Sequence, residues 1–423
     1  MLITKASTPP VGAPPPGLDR RHLMVLIAAF LGWLFDGFEL GLFPIVARPA
    51  LLSMFGGGND TQVGPWMAYI TASFLVGAAC GGVVFGWLGD RIGRVRALSA
   101  SILTYSLFSG FSYFAQEPWH LGVLRFIGAL GMGGEWSLGV ALVMECWPER
   151  WRPALAGAIG SAANFGFLLT GIVARLHPIT RESWRWMFLV GAAPALLVFF
   201  IMWFVPESER WREAVKSRTT HPMKEIFSPP LIRRTLLAIV FASVVLTGTW
   251  GSVQWMPLWA DQLVGAANHS AKADTQIVLA LGAIMGCFVA PLVSALTSRR
   301  VAFFAFCLSS LLICGWVFRA IHHYGFGFLA GAFFASFATA SFYGWFPLYF
   351  PEIFPTRVRA TGQGLCYNFG RIFAAVGALL QGQLVAAFGG SYARAGAVVT
   401  LVYLIGMALV WLAPETKGEP LPE

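Results

Sequence analysis

The chain has 423 residues, of which 57% are hydrophobic and only 12% charged, with a formal net charge of +9. Ordinary soluble domains are roughly a quarter charged, so this composition excludes a water-soluble enzyme or scaffold and indicates a polytopic membrane protein. Where the basic residues fall along the chain also excludes a nucleic-acid site.

Residues 1–22 hold a Pro-rich run from Thr8 to Pro16 without an apolar signal-peptide core, and are expected to form a flexible tail. Crossing a hydrocarbon core of about 30 Å takes about 20 apolar residues whose backbone groups are satisfied within a helix. Six such stretches follow, at 23–47, 66–87, 97–115, 120–145, 154–174 and 186–205. A polar insert at 206–235 reads as a linker. Six more spans, at 236–260, 276–296, 301–318, 326–350, 360–386 and 393–413, precede a short tail at 414–423. The expected fold is all-α, with twelve transmembrane helices in two six-helix bundles, 23–205 and 236–413.

Of the 29 Lys and Arg residues, twenty fall on the side of both termini, seven on the other side, and Arg125 and Arg371 within spans. The positive-inside rule then places both termini and the linker in the cytoplasm of a cell membrane. The six cysteines (Cys80, Cys146, Cys287, Cys307, Cys314, Cys366) lie in or at the ends of spans, so no disulfide framework is expected.

The loops carry an internal repeat. Glu145, Pro148, Arg150 and Arg152 recur as Glu352, Pro355, Arg357 and Arg359, each 207 residues later. Gly157, Asn164-Phe165 and Gly166 recur as Gly362, Asn368-Phe369 and Gly370, and Pro206-Glu207-Ser208 as Pro414-Glu415-Thr416. Two homologous bundles put a substrate site near mid-membrane where they meet.

The run Gly86-Trp87-Leu88-Gly89-Asp90-Arg91-Ile92-Gly93-Arg94 resembles the signature of the major facilitator superfamily. The resemblance extends through Arg125, Pro206-Glu207-Ser208, Pro351-Glu352-Ile353-Phe354-Pro355-Thr356-Arg357 and Pro414-Glu415-Thr416-Lys417-Gly418, nearly the whole chain. Phe35-Asp36-Gly37-Phe38-Glu39, Gly133-Gly134-Glu135-Trp136 and Tyr367-Asn368-Phe369-Gly370-Arg371 are similar to the sialate/lactate-type organic acid:proton symporter branch.

On the cytoplasmic side, Asp90, Arg91 and Arg94 are expected to latch helix ends with Glu145 and Arg150, and Glu352 and Arg357 are their repeat counterparts. Exposed ion pairs contribute only ~0–1 kcal/mol each, which suits a latch that opens and closes. Ser298 is read as standing where the first half has Asp90, so the second latch is expected to be degraded.

Charges inside the membrane are the most informative, because each costs at least ~2.5–3.5 kcal/mol at the helix centre and faces a cavity or a partner. Five qualify: Asp36, Glu39, Arg125, Glu135 and Arg371. At a rise of ~1.5 Å per residue, Asp36 and Arg371 fall within about 3 Å of mid-span, Glu39 about a turn outward, Arg125 farther outward and Glu135 slightly inward. The planar fork of Arg371 matches a carboxylate bidentately, and Asn368 and Tyr367 share its helix face; the alternative is a buried salt bridge to a first-half carboxylate. A carboxyl group exposed alternately to the two sides can take up a proton outside and release it inside. Asp36 and Glu135 fit that role, whereas Glu39 matches the depth of Arg125 as its ion-pair partner. Asn164, Gln254 and Tyr343, with Trp250, Trp255 and Trp345, are expected to shape the pocket.

No catalytic constellation is present: the seven histidines lack zinc-ligand spacing, and there is no phosphate-binding Gly-x-x-x-x-Gly-Lys loop. Neither a cofactor nor a metal is expected. The resulting expectation is a monomeric secondary transporter, coupling protons to a small organic anion such as lactate or pyruvate by alternating access. Sialate, an aromatic acid or a sugar are the alternative substrates. A non-transporting receptor on the same fold is disfavoured by tails of about 21 and about 10 residues.

Overall fold

A chain in hydrocarbon must satisfy its own backbone groups, and the computed structural model is correspondingly helical throughout its spans. It describes residues 19–56, 60–177, 179–217, 221–264 and 270–423; the expected tail over 1–18 lies outside the described residues. Helices α1 (Arg20–Met54), α2 (Asp60–Ile92), α3 (Arg94–Phe111), α4 (Pro118–Cys146), α5 (Arg152–Leu176) and α6 (Arg185–Ala192, resumed as Ala195–Phe204) form the first bundle. The second comprises α7 (Pro229–Trp250, resumed as Met256–Val264), α8 (Ala271–Leu296), α9 (Arg299–Ala320), α10 (Phe326–Ile353), α11 (Arg359–Ala387) and α12 (Tyr392–Val399, continued as Tyr403–Leu409).

Among the described residues, ten spans qualify as membrane-crossing by length and apolar composition alone. The other two are α3 and α11, which bury many of their polar residues: Ser99, Ser101, Ser106 and Ser109 on α3, and Thr361, Gln363, Asn368 and Arg371 on α11. Two boundaries differ most from expectation, each by seven residues. Helix α1 runs on through Pro44 and Pro49 to Met54, and α7 begins at Pro229, a favoured residue for a first helical turn. The linker between the bundles also holds two short helices, Glu209–Ser217 and Pro222–Ile226.

Both described chain ends lie on one face, here called the terminal face, together with the α2–α3, α4–α5, α8–α9 and α10–α11 connections. Trp147 Nε1 donates to His22 O at 2.9 Å and Thr356 N donates to Pro422 O at 3.1 Å across it. The bundles meet through α2 against α11 and α5 against α8 and α10. Toward the terminal face the buried core runs without a break from one bundle to the other, from Val25 and Trp136 to Phe350 and Tyr367. Toward the opposite face it splits into a first-bundle cluster around Phe38, Leu42 and Trp184 and a second-bundle cluster around Val253, Trp259 and Phe328. The molecule is therefore sealed on its terminal side.

The seal between α2 and α11 relies on glycine. A Cβ on Gly82 would lie 2.0 Å from Asn368 Nδ2, and one on Gly364 would lie 2.3 Å from Gly82 O, so the two backbones meet directly.

Candidate functional site

A cavity lies between the bundles, lined by α1 and α5 on one side and by α7, α8, α10 and α11 on the other. Its walls include Trp33, Asn164, Gln254, Tyr343, Tyr367 and Arg371. The cavity has a volume of about 50 Å³, room for a few waters at about 10–15 Å³ each, so it is narrow in this closed-face state.

Among the described residues of the cavity wall, Arg371 is the charged one. Its Nη2 lies 3.9 Å from Asp36 Oδ2, beyond hydrogen-bond range. Arg371 Nη1 and both Asp36 oxygens are buried without a hydrogen-bond partner. Tyr367, one turn back, places its ring 5.4 Å from the guanidinium carbon and is itself stacked on Trp136 at 4.2 Å. A buried cation with unused donors, facing an acid it does not touch, can accept a carboxylate between or beside them.

Asn164 lines the cavity with its Nδ2 3.6 Å from Cys287 Sγ. Asn368, its repeat counterpart, does not, which corrects the expectation of a substrate-facing amide. Asn368 Nδ2 donates to Gly133 O at 2.8 Å and to Gly364 O at 2.9 Å, so it ties α11 to α4. Sharing a helix face with Arg371 left its direction open, and the close glycine contact at Gly82 turns it into the seal.

The remaining intramembrane acids separate. Glu39 is ion-paired with Arg125 and accepts from Ser109 Oγ at 2.9 and 3.0 Å, while Phe74 and Phe43 cover the guanidinium at 4.6 and 5.2 Å. Glu135 is buried with neither oxygen hydrogen-bonded. Its Oε1 occupies the space beside Gly32, where a Cβ would lie 2.2 Å away.

At the terminal face a second charged cluster joins the bundles. Asp90 accepts from Arg94 Nη1 at 2.5 Å, Thr361 N at 2.8 Å, Thr361 Oγ1 at 2.5 Å and Ala360 N at 3.3 Å. Glu145 accepts from Arg94 Nη2 at 3.0 Å and from Arg359 Nη1 at 2.9 Å, and Arg94 Nη2 also donates to Thr356 O at 2.7 Å. The Asp90, Arg94, Glu145 and Arg359 side chains are fully buried, which overturns the expectation of weak exposed pairs. Arg91 and Arg150 are outside the cluster: both are exposed, resting on Trp87 at 4.6 Å and Trp151 at 6.0 Å.

In the second half, Arg299 donates to Glu352 at 2.8 and 2.9 Å and to Ser294 O at 2.9 Å. Arg94 makes the same bond to Gly89 O at 2.8 Å, so Arg299 is the counterpart of Arg94. This corrects the register: Ala295, not Ser298, stands where the first half has Asp90. Ser298 instead caps α9 by accepting from Val301 N at 3.2 Å. Arg357 pairs with Glu225 of the linker, its Nε 2.7 Å from Oε1, rather than with the other bundle.

The family model of the Major Facilitator Superfamily matches residues 25–318. The chain belongs to that superfamily. It is 30% identical to the inner membrane metabolite transport protein YgcS of Escherichia coli, over 98% of this chain and 96% of that one. It is 28% identical to the cis,cis-muconate transport protein of Acinetobacter baylyi (90% and 92% covered) and 26% identical to the sialic acid transporter NanX of Escherichia coli (82% and 83%). The structure of the proton:xylose symporter XylE superposes with a TM-score of 0.76 at 17% identity, over 95% and 98% of the chains.

This major facilitator protein is thus a multi-pass solute transporter, not an enzyme, with twelve helices in two pseudo-symmetric bundles. Two members of its interbundle cluster, Arg359 and Thr361, went unassigned by sequence reasoning. The 207-residue repeat that matches Arg152 to Arg359 was the available signal, but which of the two arginines crosses to the other bundle is a matter of packing.

Proposed function

We propose that this transporter carries a small organic acid anion together with a proton, by alternating access, with the terminal face in the cytoplasm of a cell membrane. The observation that carries the reading is Arg371, a buried cavity cation whose Nη1 has no partner and whose nearest acid stays 3.9 Å away. Asp36 faces Arg371 and carries the proton, with Glu135 behind it as a second acceptor. Glu39 and Arg125 hold one another in place outside this exchange. Asp90, Arg94, Glu145, Thr361 and Arg359 form the gate that closes the terminal face.

The aromatic walls, Trp33, Tyr343 and Tyr367, support a planar unsaturated or aromatic acid over lactate or pyruvate, since flat π-systems pack offset-stacked or edge to face. The relative named for cis,cis-muconate agrees with that preference.

The test is uptake into liposomes of labelled benzoate, cis,cis-muconate, lactate, pyruvate, sialate and glucose, with and without a pH gradient. Accumulation of an acid only when the outside is acidic is expected; pH-indifferent glucose uptake overturns the reading. Arg371→Lys keeps the charge but loses the fork, weakening binding by ~1–3 kcal/mol, and Arg371→Ala abolishes it. Unchanged affinity in the Ala variant removes Arg371 from the substrate site. Asp36→Asn or Glu135→Gln should stop uphill accumulation while preserving exchange of substrate for substrate, since a carboxamide stands in for the protonated acid. Equal loss of both activities would assign these acids a structural role.

A further inference from the structure

The residues that follow α12 fold back across the terminal face. Glu415 accepts from the backbone amides of Arg299 at 3.0 Å and Arg300 at 3.2 Å. Thr416 Oγ1 donates to Glu352 at 2.6 Å, and Lys417 Nζ donates to Leu296 O at 3.3 Å and Thr297 O at 2.6 Å. Farther on, Leu421 is 5% exposed within the core that joins the bundles. The carbonyl oxygen of Pro422 accepts from three donors: Thr356 N at 3.1 Å, Thr356 Oγ1 at 3.3 Å and Arg359 Nη2 at 2.9 Å. Arg357 Nη1 donates to Glu423 O at 2.9 Å.

Those partners are not arbitrary. Arg359 is the residue whose other nitrogen, Nη1, crosses to Glu145 of the first bundle at 2.9 Å. Thr356 is the residue whose carbonyl receives Arg94 of the first bundle at 2.7 Å. Two of the second bundle's polar contacts with the first are therefore made by groups that one tail carbonyl positions. Leu421 sets that carbonyl in place by anchoring the tail in apolar surroundings.

We propose that residues 419–423 are a clasp for the terminal face: the tail seats Arg359 and Thr356 for their contacts with the first bundle, and its release accompanies opening. The inference rests on the alternating-access reading above. Tail binding then favours the closed state by its differential contacts, and anything that occupies or displaces the tail shifts the resting balance of the carrier.

The experiment places spin labels at Arg96→Cys and Val301→Cys, exposed positions on the terminal face of the two bundles, after Cys80→Ser and Cys146→Ser. Distance distributions are then read in the purified full chain without substrate. Deleting residues 419–423 should raise the ratio of open to closed populations tenfold or more. Leu421→Ala should act in the same direction with a smaller change, and Leu421→Met should keep the wild-type distribution. Should the deletion fail to fold, Leu421→Ala carries the test. A lower melting temperature with unchanged distances would make the tail a mere stabiliser and overturn the clasp. Asp90→Asn with the same labels separates the two readings. If it opens the face while the tail variants do not, the clasp alone fails; if nothing opens the face, alternating access at this gate fails with it.

Discussion

The two halves close the terminal face by unlike means. On the first-bundle side of the repeat, Asp90 and Glu145 are enclosed at the junction and reach Thr361 and Arg359 of the other bundle. On the second-bundle side, Ala295 replaces Asp90 and is exposed, and Glu352 is used within its own half by Arg299 and Thr416. Arg152, the counterpart of Arg359, turns to its neighbour Glu149 at 2.5 Å instead of crossing. Toward the terminal face the junction of α5 with α8 is instead close packing, with Gly157 set against Phe288, and the ion pair of these two helices, Arg175 with Asp274 at 3.2 Å, lies at their other end. A duplicated fold can therefore concentrate its directional, charge-dependent closure in one seam and leave the other to shape.

The strongest way to break this comparison is Glu145→Gln. One carboxylate there neutralises two buried guanidiniums, and leaving a buried charge unpaired costs about 3–5 kcal/mol. A large drop in melting temperature and in yield of folded protein is expected. Glu352→Gln strands only Arg299, which keeps its bond to Ser294 O, so a smaller drop is expected; equal losses would mean that the two seams are energetically alike.

Asp90→Asn comes next. It keeps the shape but removes the charge that accepts from Thr361, a loss of about 1.5–3 kcal/mol for hydrogen bonds to a charged group. Transport should slow and the terminal face should open more often. The counterpart Ala295→Asp adds a carboxylate at an exposed position, where an ion pair is worth only about 0–1 kcal/mol, and transport should be unaffected. Wild-type transport in Asp90→Asn would remove this carboxylate from the gate.

The smallest effect concerns Glu207 and Glu415, matched residues that accept from the first amides of α3 and α9. Burial holds the Glu207 carboxyl above its ordinary 4.5, despite the amides of Ser208, Val95 and Arg94. Burial also pushes Glu415 up, but the amides of Arg299 and Arg300 outweigh it and the group ends below 4.5. A carboxyl lowered by folding stabilises the fold above its unfolded value and loses that contribution as pH falls through its folded value, whereas a raised one does the reverse. Melting curves between pH 3 and pH 7 should therefore diverge. Relative to its Gln variant, Glu415 gains stability as pH rises to about 4.5, while Glu207 loses it above that point. Parallel curves would remove the asymmetry.

Much of this was legible in the sequence, for identifiable reasons. Span lengths and the alternation of basic loops gave twelve helices, including α3 and α11, because the loops on either side had to lie in water. The depth of Glu39 and Arg125 along their helices gave their pairing. What stayed illegible depended on side-chain direction and on register across bundles. Asn368 shares a helix with Arg371 yet turns into the α4 contact, Arg91 and Arg94 are three residues apart yet one is exposed and the other enclosed, and Ser298 resembled an Asp90 position until the matching bonds of Arg94 and Arg299 fixed the alignment. The inward bend of the last residues toward Arg359 leaves no mark in composition at all.

The backbone-to-backbone meeting of Gly82 with Gly364 has a mechanical meaning of its own. Helices that interlock side chains must lift past one another to move, and each such step adds friction to a rocking motion. Bare backbone at Gly82 and Gly364 forms a bearing: there α2 and α11 can roll or part with few teeth to disengage, and what holds them is the bond of Asn368 to α4 together with the charged clamp at the rim. A bulky side chain at Gly82 would act as a shim, propping the rim apart however well the clamp itself was built.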